Sequence, residues 1–222
     1  MATVAELEAP GNLAELLTRI GSVPPLRIRT HPPPGMATEE DVIACLDRAD
    51  KRLCELVDGV LVEKVMGTRE ALLAGIILHF FWDFLEAHDL GLPLGADGAV
   101  RLKIGLVRIP DVCFISWARL PGGGLPEERV AGVVPDLAVE VLSEGNKKPE
   151  MDRKLRDYFG AGVRLVWFVQ PKTQTAMAYT SPIRSRRIPR DGVLDGSDVL
   201  PGFALPLKEL FAREKRRRRK PR

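Results

Sequence analysis

Three cysteines, at positions 45, 54 and 113, are all that the 222 residues contain, and none forms a C-x-x-C pair. So few thiols, so spaced, argue against a disulfide framework and a thiolate zinc site, and a reducing cytoplasm is the expected setting. Histidine is as scarce: His31, His79 and His88 do not cluster, so no imidazole metal centre is expected. The opening MATVAELEAP lacks the cationic start and apolar centre of a secretion signal. The most apolar stretch, residues 71–85, is shorter than a membrane span and carries His79 and Asp83, so no membrane association is expected. The glycines of PGGGLP are not followed by the G-K-[ST] of a phosphate-binding loop and read as a plain loop.

Positive charge is also in short supply outside one place. The net charge is +3, but residues 213–222 hold eight Lys/Arg against Glu214, a net of +7, which leaves 3 − 7 = −4 for the body. That basic tail either anchors DNA through phosphate contacts or is a solubilising end. With 45% hydrophobic and 28% charged residues, the chain can bury one substantial core. The expected organisation is a flexible proline-rich arm over 1–37, one domain over 38–212 and the tail over 213–222.

The hydrophobic pattern supplies the elements. Thr38 is placed to cap a short helix, EEDVIACLDRAD. In LCELVDGVLVEKV, two β-rich runs flank Asp58-Gly59, a strong hairpin signal. From Thr68, apolar residues recur at helical spacing as far as HDLG. AVRLKI and VCFIS read as strands. DLAVEVLSEGNKKPEMDRKL gives a strand, a loop and a helix opening at Pro149; VRLVWFV and TAMAYT are further strands, and LPGFALPLKELF closes the domain. Strand, helix and strand across 136–169 make a βαβ unit with parallel neighbours. The class is mixed α/β, a central sheet flanked by helices. Trp82, Trp117 and Trp167 fall in apolar segments and are expected in the core.

Four charged residues stand where this pattern calls for core. Glu140 interrupts the apolar run of DLAVEVL, where an unpaired carboxylate would be costly. Asp111 opens the apolar strand after Pro110. Glu70 falls within the apolar stripe of its helix, about a turn from Leu73. Lys154 lies at the edge of the stripe formed by Met151, Leu155, Tyr158 and Phe159, and Arg153 and Arg156 point away, so Lys154 is the basic residue that can lean toward the sheet. Each has a bland alternative: an ion pair for Glu140, a turn for Asp111, a dipole-facing acid for Glu70, a solvated edge for Lys154. Glu55, in the hairpin, reads as structural. Converging on one sheet, the set suits metal-dependent phosphodiester hydrolysis. Two carboxylates suffice for Mg²⁺, which keeps several waters, and a lysine can orient the nucleophile or stabilise developing charge. Asp136, in a second Pro-Asp pair, is excluded, because four extended residues put it roughly 13 Å from Glu140.

Taken together, ELVDGVLVEK, RIPDV, PDLAVEVLS, KLRDYFGAGVRLVWFV and LPGFALPLKELF resemble the PD-(D/E)XK nuclease superfamily, and more closely its stand-alone Uma-two restriction endonuclease branch. The resemblance spans about residues 53–211. It implies a restriction-endonuclease-like αβββαβ core and a Mg²⁺- (or Mn²⁺-) dependent endonuclease acting on DNA, as a homodimer in many relatives. Asp111 would be the first metal ligand, Glu140 the second, joined by the Val141 carbonyl, and Glu70 the acid on the first core helix. Leu142 stands where the superfamily pattern has lysine; that role would pass to Lys154 on the following helix. The competing expectation is a non-catalytic nuclease fold that serves as a DNA-binding or protein-interaction module.

Overall fold

The computed structural model describes residues 11–49 and 52–215, and within them the segment before Thr38 is already folded. Residues 1–10 of the expected arm and 216–222 of the basic tail lie outside the described residues. Asn12 accepts the Glu15 N–H (3.0 Å) and starts α1 (Leu13–Arg19). Leu16, Ile20 and Val23 are buried, Ile28 bridges to Val62, and the Arg29 N–H donates to the Leu61 carbonyl (3.0 Å). The expected loose arm is therefore corrected over 11–37. Proline forbids long regular elements, but it also lowers the entropy lost on ordering, and the apolar residues between the prolines anchor the segment.

Thr38 opens α2 (Glu39–Asp47), its N–H donating to Asp41 Oδ2 at 2.8 Å. Asp58 and Gly59 take φ of 49° and 74°, the pair of positive values a two-residue hairpin needs, and join β1 (Cys54–Val57) to β2 (Val60–Glu63). Then comes α3 (Thr68–His88), closed by Asp89 in the left-handed region. Its Leu73, Ala74, Ile77, Phe81 and Leu85 are buried, the four larger side chains contributing roughly 1.5–3 kcal/mol each. At 21 residues with a best-window mean hydropathy of 1.3, α3 has the length and composition to cross a membrane. Buried core helices meet the same criterion, and one stripe of α3 packs on the main sheet. Trp82, expected in the core, is 43% exposed on its outer face.

The remaining elements are β3 (Gly91–Leu94), β4 (Val100–Lys103), β5 (Leu106–Arg108), β6 (Val112–Ser116), β7 (Leu137–Val141), α4 (Lys148–Ala161), β8 (Leu165–Gln170), β9 (Thr175–Ser181), β10 (Arg184–Ile188), β11 (Val193–Asp195), β12 (Ala204–Pro206) and α5 (Leu207–Glu214). The main sheet has the order β10-β9-β8-β7-β6-β3, and a smaller one the order β2-β1-β5-β4. Within the main sheet α3, β3, β6, β7, α4 and β8 follow the αβββαβ plan, with β4 and β5 diverted to the smaller sheet. β7 and β8 pair in parallel around α4, and the other main-sheet pairs are antiparallel. Val139, Val141, Trp167 and Val169 share one core with α3 and α5. Ala138, Val166 and Phe168 face the other way, into a core shared with α1, α4 and the smaller sheet. Glu140, between Val139 and Val141, must therefore face α4.

Candidate active site

Asp111 and Glu140 are brought together by strand register. Val112 lies opposite Val139 on antiparallel β6 and β7, so the next pair outward is Asp111 with Glu140, both on the α4 face. The Asp111 N–H donates to the Val139 carbonyl (3.0 Å), and Asp111 Oδ2 accepts the Val141 N–H (2.6 Å). Lys64, just beyond β2, sets its Nζ 2.8 Å from Asp111 Oδ1 while donating to the carbonyls of Ile109 (2.7 Å) and Ala96 (3.1 Å).

Residues four apart on α4 share a face, which turns Lys154 and Tyr158 toward Glu140 together. Lys154 Nζ donates to Glu140 Oε1 and Oε2 (2.8 and 2.9 Å), and the Tyr158 hydroxyl to Oε1 (2.6 Å). Lys154 Nζ also stands 3.4 Å from Glu55 Oε1. Glu55 accepts from Arg108 Nη1 (2.6 Å) and the Ile109 N–H (3.2 Å), and Arg108 reaches on to Asp157. Arg153, expected to point away, instead donates to Asp157 (2.8 Å) and to Asp58 at the β1–β2 turn (2.9 Å). The pattern missed this because the smaller sheet, not solvent, covers that side of α4.

Glu55, Arg108, Asp111, Glu140 and Lys154 are each no more than 5% exposed, so these pairings decide which charges survive burial. Burial pushes Glu55 up, but Lys154 and Arg108 outweigh it and hold the carboxyl at about 2. For Glu140 burial is again the largest influence; Lys154 pulls down, Asp111 and Glu55 push up, and the net direction is up. Burial favours a neutral Lys154, yet Glu140 and Glu55 prevail and keep its ammonium well above the usual lysine range.

The five residues expected at the site, Glu70, Asp111, Glu140, Val141 and Lys154, line one pocket of about 20 Å³, room for about one water or a small cation. Glu70 sits in the first turn of α3, its Oε2 folded over Gly67 so closely that a Cβ there would lie 2.2 Å away. An ionised carboxylate offers about four acceptor positions. Asp111 commits two, to Lys64 and Val141, and Glu140 three, to Lys154 twice and to Tyr158, so both retain acceptor capacity for a cation. Two carboxylates beside the Val141 carbonyl make an all-oxygen donor set that fits Mg²⁺. Among the described residues no three His, Cys, Asp or Glu gather as a metal-holding group, so a cation held here would keep most of its waters.

Several residues in or beside the pocket have no site role in the sequence reading, in which Glu55 is structural. Glu55 interrupts an apolar strand just as Glu140 does, and the same signal marks it. Tyr158 reads as one more member of the apolar stripe. Lys64 and Arg27 reach the pocket through contacts remote in sequence, which periodicity does not register, whereas Glu150 stands one turn before Lys154 on the same face of α4. Asp136, set aside as a decoy, accepts from Arg119 Nε and the Ser116 N–H (2.9 Å each), at the opposite end of β7.

The chain matches the model of the Uma2 family, described as "Putative restriction endonuclease", over residues 40–208. A similar solved structure is a "putative nuclease belonging to DUF820" from Anabaena variabilis ATCC 29413. It aligns with a TM-score of 0.67 at 16% identity, over 78% of this chain and 97% of that one, a likeness of fold. No functionally curated protein matches. A family match across most of the chain, on a fold whose αβββαβ order carries both acids to one face of one sheet, makes this protein a member of the Uma2 restriction endonuclease family.

Proposed function

We propose that the protein is a Mg²⁺-dependent endonuclease, also served by Mn²⁺, that hydrolyses DNA phosphodiester bonds. The observation that carries this reading is the meeting of Asp111 and Glu140 in one buried pocket, with the Lys154 ammonium on Glu140. Asp111, Glu140 and the Val141 carbonyl would hold the metal, which when bound supplies Lewis-acid polarisation and an acidified water. Lys154, fixed between Glu140 and Glu55, sets positive charge where the phosphoryl oxygens gain negative charge. Glu70 orients water at the pocket, directly or through a second water. Two copies acting as a homodimer would cut both strands.

One observation favours a different reading, a non-catalytic nuclease fold acting as a DNA-binding or protein-interaction module. Lys64 and Lys154 already neutralise the two acids from within the protein. Calorimetric titration with Mg²⁺ and Mn²⁺ separates the two readings, since an inert module has no site to lose in Asp111→Ala.

The test of the nuclease is supercoiled plasmid with Mg²⁺ or Mn²⁺. Nicked and linear forms are expected from the parent protein and not from Asp111→Ala, Glu140→Ala or the chelated protein. Because Glu140→Ala strands a buried lysine, Glu140→Gln is run beside it with the thermal midpoint recorded. Cleavage that survives both acid substitutions refutes the assignment.

A further inference from the structure

Glu150 is 2% exposed, and its two carboxylate oxygens are treated differently. Oε1 accepts from Arg27 Nη1 at 2.8 Å, whereas Oε2 is buried without a hydrogen-bond partner. An acceptor left unpaired in the interior is costly and calls for an explanation. Two features of the fold hold it in place. Glu150 sits in the first turn of α4, where the helix dipole favours a carboxylate. The N-terminal segment also closes over it: a Cβ on Gly21 would lie 2.9 Å from Glu150 Cα. Glu150 lines the same pocket as Asp111, Glu140 and Lys154.

Hydrolysis needs a proton acceptor there, because an attacking water must lose a proton as its oxygen bonds to phosphorus. Lys154 does not serve, since its Nζ already donates to both Glu140 oxygens and faces Glu55. Asp111 has each oxygen engaged, by Lys64 and by the Val141 N–H, and Glu140 has each engaged by Lys154. Among the described buried carboxylates of this pocket, Glu150 keeps an oxygen with no protein donor.

We propose that Glu150 is the proton acceptor of the hydrolysis, a role that rests on the nuclease reading of the pocket. Oε2 accepts a hydrogen bond from the attacking water and takes its proton as the new O–P bond forms and the P–O bond to the leaving sugar oxygen breaks. The leaving alkoxide takes a proton from bulk water, and Glu150 returns its own to bulk water, so the step balances as phosphodiester plus water giving phosphomonoester plus alcohol.

The experiment is single-turnover plasmid cleavage with Mg²⁺ by the full chain, comparing the parent with Asp111→Ala, Glu150→Gln and Glu150→Ala. Both Glu150 variants should slow cleavage by about 100-fold or more with unchanged DNA binding in Ca²⁺. Glu150→Gln keeps an acceptor for Arg27 and should hold the thermal midpoint, whereas Glu150→Ala strands Arg27 and should lower it. Added formate, a diffusible carboxylate, should restore about tenfold to Glu150→Ala and nothing to Asp111→Ala. A parent that cleaves alongside a Glu150→Gln that stays within about threefold of it overturns the proposal alone. So does a slow Glu150→Ala that formate does not rescue. A parent that leaves the plasmid intact removes the nuclease reading, and this role with it.

Discussion

Lys64 and Asp111 form an ion pair across the junction of the two sheets, Nζ to Oδ1 at 2.8 Å, each side chain only 6% exposed. Lys64 follows the last residue of β2 and Asp111 precedes β6, so this contact fastens the smaller sheet to the main one at the edge of the candidate site.

Removing the lysine strands a buried carboxylate and two backbone carbonyls. Lys64→Met is expected to lower stability by about 3 kcal/mol in urea unfolding with chelator present. Part of that loss should return on adding Mg²⁺, because a cation held by Asp111 substitutes for the missing charge. An equal loss with and without Mg²⁺ would count against Asp111 as a ligand.

Glu55 makes acid stability a second readout. Its carboxyl is held at about 2 in the folded protein against 4.5 ordinarily, so the folded state binds fewer protons there. The stabilisation is present in full above pH 4.5 and drains away as pH falls toward 2, about 3 kcal/mol for this fully buried group. Glu140, whose carboxyl is pushed up, works in the opposite sense, so the comparison must be with Glu55→Gln. That variant should be less stable at neutral pH and show a flatter fall between pH 4.5 and 2, read by chemical denaturation at stepped pH.

Gly21 tests the N-terminal segment. It has φ of +90°, and a Cβ there would meet the Glu150 backbone at 2.9 Å. Gly21→Val is expected to cost about 1–3 kcal/mol and to expose residues 11–37 to limited proteolysis before the rest of the domain. Digestion indistinguishable from the parent would show that the close approach carries no weight.

Much of this was legible because buried charge breaks a pattern. Glu140 interrupts β7, Asp111 opens β6 and Lys154 edges an apolar stripe, so the sequence marks them out even without a partner in view. What it cannot mark is a partner remote along the chain: Lys64 is 47 residues from Asp111 (111 − 64), and Arg27 is 123 from Glu150. β10 escaped for another reason. RSRRI has no apolar alternation, and it becomes a strand by pairing with β9, with four of its five residues exposed. The folded N-terminal segment was hidden by its own prolines, whose effect on regular structure is local while the burial of Leu16, Ile20 and Val23 is not.

Because Lys154 and Tyr158 lie on the helix between β7 and β8, a growing polypeptide carries Glu140 before the two donors that hold it, whereas Lys64, the partner of Asp111, is already made. Until residues 148–161 have been synthesised and laid across the sheet, Glu140 lacks both of those donors, although the β6–β7 register already sets it opposite Asp111. The caging of Glu140 thus waits for the closing of α4, and a polypeptide ended before residue 148 carries that carboxylate without Lys154 or Tyr158 to receive it.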